Sequence, residues 1–328
     1  MLRPQYLPCI LLLCILLCNC GASASRKTEA SETEQLSFPS FSADSAYVFI
    51  ERQVAFGPRV PNTTAHKRCA AYLSKELKRF GAEVFEQAAE LKAFDGTKLQ
   101  AVNIIGSFNP TQSKRILLCA HWDSRPWCDH DPEPQNRKQA VSGANDGASG
   151  VGVLLEIARL IGKQPPSVGI DMIFFDAEDY GAPQDAKTDM QDSWCLGSQY
   201  WAKHPHRNGY RASYGILLDM VAAPGATFYR EQISEYFAPN IVEKVWKEAQ
   251  RLGFGHYFVN KKGGAITDDH LYVNRISGIP CIDIIQFDPQ SQSGFGHYWH
   301  TVNDTMENID KATLHAVGST LIHVLYKE

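Results

Sequence analysis

The chain has 328 residues, with 32 Lys and Arg against 36 Asp and Glu, 44% hydrophobic and 21% charged residues, and a formal net charge of −4. This composition fits a globular enzyme and excludes a disordered or collagen-like chain. The slightly acidic balance carries no basic footprint for nucleic acid, and a single long apolar run excludes a bundle of membrane spans.

That apolar run comes first. Arg3 precedes Ile10, Leu11, Leu12, Leu13, Cys14, Ile15, Leu16, Leu17 and Cys18, and small residues follow, which is the layout of a secretory leader. Two exits fit it. Leu17-Cys18-Asn19-Cys20 resembles the bacterial lipobox and would leave Cys20 lipid-anchored; Ala22-Ser23-Ala24 suits ordinary cleavage. Residues 1–20 are therefore read as leader. Residues 21–40, rich in Ser, Ala, Thr and Glu, read as a solvated tether, and 41–328 as one domain.

Ser42 suits the N-cap of a helix carrying Ala46, Phe49, Ile50 and Val54, which Gly57-Pro58 ends. A second helix starts near Thr63 or Thr64, carries Ala71, Leu73, Leu77 and Phe80, and stops at Gly81. Beyond it, strands over 83–87, 101–105, 116–120, 170–175, 213–218 and 281–285 alternate with helices over 148–161, 196–203, 239–252, 269–275 and 311–326. Such alternation predicts an α/β fold in a single domain, with a twisted, mixed, largely parallel central sheet and helices on both faces. Five cysteines lie beyond the leader: Cys69, Cys119, Cys128, Cys195 and Cys281. They form no Cys-x-x-Cys pair, so a structural zinc cage is not expected, and their odd number leaves any pairing open. Cys119 and Cys281 lie in apolar strands and read as small buried hydrophobes.

The chemistry gathers where strands end. The run 116–120 leads into His121 and Asp123, 173–175 into Asp176, Glu178 and Asp179, and 216–218 into Asp219. In open α/β sheets, ligands bind outside the carboxyl ends of the strands. Gly143-Ala144-Asn145-Asp146-Gly147 adds a carboxylate before a helix, and His300 an imidazole near the C-terminus. Alone, Asp146 would be a helix cap and Asp219 an Asx-turn. As a set, these carboxylates repel one another unless a cation lies between them. Carboxylates with His around an open position form the ligand mixture of a catalytic zinc site. His204, His206, His256 and His323 lack such neighbours and read as surface or packing residues, and Gly263-Gly264 as a plain loop.

His121-x-Asp123-Ser124, Gly143-Ala144-Asn145-Asp146, Phe174-Phe175-Asp176-Ala177-Glu178-Asp179, Leu218-Asp219 and His300-Thr301 resemble, in order and spacing, the zinc-dependent aminopeptidase superfamily from about residue 42 onward. Within it, Gln191-Asp192-Ser193, Leu196-Gly197-Ser198, Thr267-Asp268-Asp269-His270, Gly278-Ile279-Pro280, Phe295 and Trp299 to Asp304 make the chain more similar to the animal-type glutaminyl cyclases. With its leader, it resembles a bacterial envelope member of that group, periplasmic or membrane-anchored.

The resemblance implies conversion of an N-terminal Gln of peptides and proteins to pyroglutamate with loss of ammonia. One zinc per chain would sit on Asp146, Asp179 and His300, with Glu178 as general base and Asp219 and Asp268 holding Glu178 and sharing its proton; a monomer is expected. Phe295 and Trp299 match pocket aromatics, and Trp194 is the expected cap, leaving Trp122, Trp127 and Trp201 to packing. Asp268 as a mere helix cap, and Phe295 and Trp299 as core, are the plainer alternatives. A hydrolytic aminopeptidase would instead use two zinc ions, on His121, Asp146 and Asp219 and on Asp146, Asp179 and His300. Two positions depart from the animal cyclases: Asp179 stands where they carry Glu, and Thr267 where they carry Gln. The segment between Tyr180 and Asp192 is also longer.

Overall fold

Two capped helices lead into the sheet. Ser42 Oγ accepts the Ser45 N–H at 3.2 Å and Thr63 Oγ1 the His66 N–H at 3.2 Å. They start α1 (Ala43–Val54) and α2 (Thr64–Arg79) where the sequence places them. The computed structural model describes residues 38–183, 186 and 192–328. The expected leader, the tether up to residue 37 and Gln191 of the cyclase-like segment lie outside these. Phe38, at the end of the expected tether, stacks on His323 with ring centroids 4.2 Å apart.

Strands β1 (Glu83–Lys92) and β2 (Lys98–Phe108) form an antiparallel hairpin, each about twice its expected length. As the edge strand, β1 alternates exposed and half-buried residues, so polar Glu86, Glu90 and Lys92 belong to it although they interrupt the apolar pattern. The chain then runs through β3 (Arg115–His121), α3 (Ala148–Lys163), β4 (Gly169–Phe175), α4 (Leu196–Lys203) and β5 (Tyr214–Asp219). Short elements follow: β6 (Phe228–Arg230), α5 (Gln232–Phe237), α6 (Pro239–Arg251) and β7 (Phe258–Lys262), then α7 (Asp269–Tyr272), β8 (Cys281–Ile285) and α8 (Lys311–Tyr326). The sequence pattern missed β6, α5 and β7, which have three to six residues and no sustained period. The helix expected over 269–275 is instead one turn of α7 followed by a π-helical turn, Val273–Ser277, that ends at Gly278 with φ 67°.

The sheet order is β1-β2-β4-β3-β5-β8. β2 is antiparallel to both neighbours, while the β4–β3, β3–β5 and β5–β8 pairs are parallel, so the sheet is mixed and mostly parallel as expected. Alternate residues serve opposite faces. Ile116, Leu118, Ile170, Met172, Phe174, Ile216 and Leu218 join residues of α1, α2, α3, α6 and α8 in the larger core. Leu117, Cys119, Ile173, Phe175 and Leu217 join Trp201, Tyr210 and Val273 in the smaller one. Cys119 and Cys281 are fully buried, and the five cysteines among the described residues are free thiols.

Two features carry this frame to a site. Register pairs His121 with Phe175 and Asp219 with Ile285, so the polar strand ends share one edge. Gly150 lets α3 press on that edge, because a Cβ there would fall 2.2 Å from the Leu218 carbonyl oxygen and 2.9 Å from Ala120 Cβ. The turn before α3 is thereby brought over the ends of β3 and β5. No helix among the described residues is long and apolar enough to cross a membrane.

Candidate active site

β3 has β4 on one side and β5 on the other, and both follow it through helical crossovers. This is the topological switch point at which α/β sheets open a crevice. Asp146, Asp179 and His300 meet there, with His300 Nε2 3.4 Å from Asp146 Oδ2 and 3.2 Å from Asp179 Oδ1. Asp146 is not a helix cap. Gly147 occupies that position without a side-chain bond, which frees the Asp146 carboxylate to face the crevice. Its other oxygen lies 3.1 Å from His121 Nε2, itself 3.2 Å from Asp219 Oδ1. Two triads of possible ligands therefore share Asp146.

Electrostatics follow from burial. Burial pushes the His300 imidazole down, but Asp179, Asp129 and Asp146 outweigh it and lift it to about 10. Asp146 is held low, against its burial, by hydrogen bonds from His121 and His300. Burial raises Glu178 well above the carboxylate range, with Asp179, Asp268 and Asp269 adding to it and His121 opposing. Asp219 rises to about 7 through burial, against His121 and together with Asp146 and Asp268. The ring of acids thus draws protons onto its imidazoles, the place a cation would take.

A metal fits these residues. Asp179 is 1% exposed, and its carboxylate oxygens accept no well-directed hydrogen bond, with His300 Nε2 at 3.2 Å and Arg125 Nη1 at 3.7 Å from Oδ1. A buried carboxylate left this way is costly unless a positive centre meets it. Two carboxylates and an imidazole are also the donor set of a catalytic zinc site.

Asp268 serves in two ways. Oδ1 accepts the Asp269 N–H at 2.5 Å and caps α7, Oδ2 is buried without a hydrogen-bond partner, and the carboxylate lies within 4.8 Å of Glu178. Trp194, Phe295 and Trp299 line a cavity of about 330 Å³ together with Glu178, Asp219, Asp268 and the three metal-site residues. Trp299 stacks on His300 at 3.8 Å, Trp194 lies parallel to the same ring at 6.0 Å, and Phe295 leans on Trp299 at 4.7 Å. By contrast Trp122 stacks on buried His66, Trp201 packs on Phe175 and Trp127 on Tyr180. Asp176 also turns away, bonding His66 Nε2 at 2.8 Å.

Sequence reasoning gave no role to the groups that hold this site. Asp123 accepts the N–H of Glu178 at 3.1 Å and of Asp179 at 3.2 Å. Asp304 does the same for Asn145 at 2.7 Å and Asp146 at 3.0 Å. Buried Arg59 donates to the carbonyls of Trp122, Ser142 and Gly143. Ala177, Cys195, Met220 and His300 all have left-handed φ, between 49° and 57°. Non-glycine strain of this kind gathers at functional sites. The motifs containing Asp123 and Asp304 were the available signal; for Arg59 there was none.

Residues 103–325 match the family model described as Peptidase family M28. The glutaminyl-peptide cyclotransferase of Bos taurus is 30% identical over 249 residues, 67% of this chain and 64% of that protein. The chain thus spans just under two thirds of the length of that relative. Among solved structures, a glutaminyl cyclase of Tannerella forsythia is 60% identical with a TM-score of 0.87, covering 88% of this chain and 100% of that one. A Zn-dependent exopeptidase of Parabacteroides distasonis is also 60% identical, with a TM-score of 0.88 and coverage of 89% and 100%.

Proposed function

The chain belongs to peptidase family M28, and we propose that within this family it is a zinc-dependent cyclase that converts the N-terminal glutamine of peptides and proteins to pyroglutamate. The observation that carries this reading is the setting of Glu178: a buried carboxylate beside Asp268, at the floor of a cavity walled by Trp194, Phe295 and Trp299. The glutaminyl cyclases among its relatives support it.

Asp146, Asp179 and His300 would hold one zinc. Bound there, zinc would supply a Lewis acid for the γ-carbonyl of the substrate glutamine. Glu178 takes the proton of the attacking α-amine and passes it to the departing ammonia, first base and then acid. A carbon–nitrogen bond forms to the α-amine as the bond to the amide nitrogen breaks, so no water is consumed. Burial suits Glu178 to hold that proton between the two steps. Asp219 and Asp268 steady it there. The aromatic wall excludes water, which would give glutamate, and folds the side chain back toward its own amine. Asp179 must bring its carboxylate in on a shorter stem than the Glu of the animal enzymes, and Thr267 forgoes the contact their Gln would make.

A two-metal aminopeptidase is the second reading. It is favoured by the second triad, His121, Asp146 and Asp219, on the shared Asp146. Mass spectrometry of a Gln-Ala peptide and a Leu-Ala peptide incubated with the protein, with zinc counted in parallel, separates the two. Loss of one ammonia from the first, no cleavage of the second and one zinc per chain support the cyclase. Release of free N-terminal residues with two zinc ions overturns it. The leader-like residues 1–20 support export to the bacterial envelope, either anchored through Cys20 or cleaved after Ala24. Labelling with a fatty-acid analogue distinguishes those fates.

A further inference from the structure

We propose that Cys195 is a positioning residue for Glu178, its thiol donating a hydrogen bond that holds the carboxylate in the orientation from which it reaches the substrate amine. The proposal rests on the reading of Glu178 as general base.

Cys195 Sγ lies 3.2 Å from Glu178 Oε1, and Cys195 is fully buried. Among the described residues, no other group donates a hydrogen bond to that carboxylate; His121 Nδ1 stands 3.9 Å from Oε2. The backbone repeats the link, with Cys195 N–H donating to the Glu178 carbonyl at 2.9 Å and Leu196 N–H to that of Ala177 at 3.0 Å. One residue thus grips Glu178 at both its main chain and its side chain. The grip has a conformational cost. Cys195 is left-handed, at φ 57° and ψ 36°, and Ala177 across from it is left-handed at φ 52°. Strain on both sides of one contact persists only where the surroundings over-determine it.

A thiol suits the task. Burial, with Glu178, Asp269 and Asp268 adding to it, pushes this thiol well up, so it stays protonated and acts as a donor. Sulfur is a weak donor. It can orient the carboxylate while stabilising the anion less than a hydroxyl would, and so leaves the base basic. Glutamate has three side-chain torsions to restrain, and small misplacement of a reacting group is expensive in rate.

The test compares Cys195→Ala, Cys195→Ser and Cys195→Gly by kcat, KM, zinc content and melting temperature, on whichever peptide the unaltered protein turns over. Positioning predicts that Ala loses about tenfold or more in kcat with KM and zinc unchanged, because a bond to a charged group is lost. Ser, which restores a donor, recovers most of it. Gly relieves the left-handed backbone, keeps the fold and is as slow as Ala. Packing alone predicts the reverse order, since a buried hydroxyl replaces sulfur worse than a methyl does. Ala within twofold of the unaltered kcat, or Ser no faster than Ala, overturns the proposal. An active Glu178→Gln variant would instead overturn the base assignment itself, so the two failures are distinct.

Discussion

Asp129 Oδ1 lies 3.4 Å from Nδ1 of His300, on the side of the ring away from the nitrogen that faces Asp146 and Asp179. The pair is too long for a well-formed hydrogen bond, yet it gives an Nδ1 proton an acidic neighbour, and with the proton there a neutral ring would turn its Nε2 lone pair toward Asp146 and Asp179. Arg125 secures Asp129 from behind, at 2.7 Å through Nε and 2.5 Å through Nη2, and its Nη1 donates to the Asp179 carbonyl at 2.9 Å. One buried guanidinium therefore ties two metal-site residues together. Asp129→Ala should lower zinc affinity by about 10–100-fold. Competition with a chromophoric chelator measures it, and unchanged affinity would mean that His300 orients without the carboxylate.

Zinc binding should release protons at neutral pH. Metal-free His300 is lifted to about 10, with burial opposing and Asp179, Asp129 and Asp146 prevailing, yet as a ligand it must be neutral. Apparent affinity should therefore rise with pH until about 10 and fall as the solution is acidified. Because the folded value is raised above 6.5, this histidine's contribution to stability of the metal-free protein is complete below that pH and is lost as pH rises through about 10. Calorimetric titrations in buffers of different ionisation enthalpy count the protons; none released would contradict the charge state assigned to metal-free His300.

Glu178→Gln should keep the fold and the zinc and lose turnover by at least about 100-fold, since it removes the only carboxylate assigned the proton. Melting temperature and metal content serve as controls. Retention of most activity would move the base elsewhere, to Asp219 or Asp268.

Gly147→Ala tests the turn that aims Asp146. Gly147 has φ 94°, and a Cβ there would meet the Asp123 carbonyl oxygen at 2.5 Å and His121 Cε1 at 3.1 Å. The variant should be destabilised by more than about 1 kcal/mol and should bind zinc more weakly, because Asp146 precedes the displaced residue. Urea unfolding with and without metal separates the two effects. An unaffected midpoint would show that the turn relaxes freely.

The sequence by itself determined the apolar parallel strands of the central sheet, their polar ends and the identity of the acids and imidazoles that meet. Buried parallel strands are mostly apolar toward their carboxyl ends, so His121, Glu178, Asp179 and Asp219 stand out at the positions where those runs stop. Tertiary structure alone decided what holds them. Asp304 is 158 residues from Asp146 and Arg59 is 84 from Gly143. Cys195 meets Glu178 from 17 residues further along the chain, with left-handed backbone at Ala177 and at Cys195 itself. Such contacts leave no period in the sequence, since they depend on which loops the packed helices bring to the same edge of the sheet. For Asp268 the sequence offered a helix cap and a partner of Glu178 as alternatives, and the structure gives it both positions. A cap needs only the next backbone amide, whereas coming close to Glu178 requires α7 to pack against β5 and β8, and tertiary packing settles that.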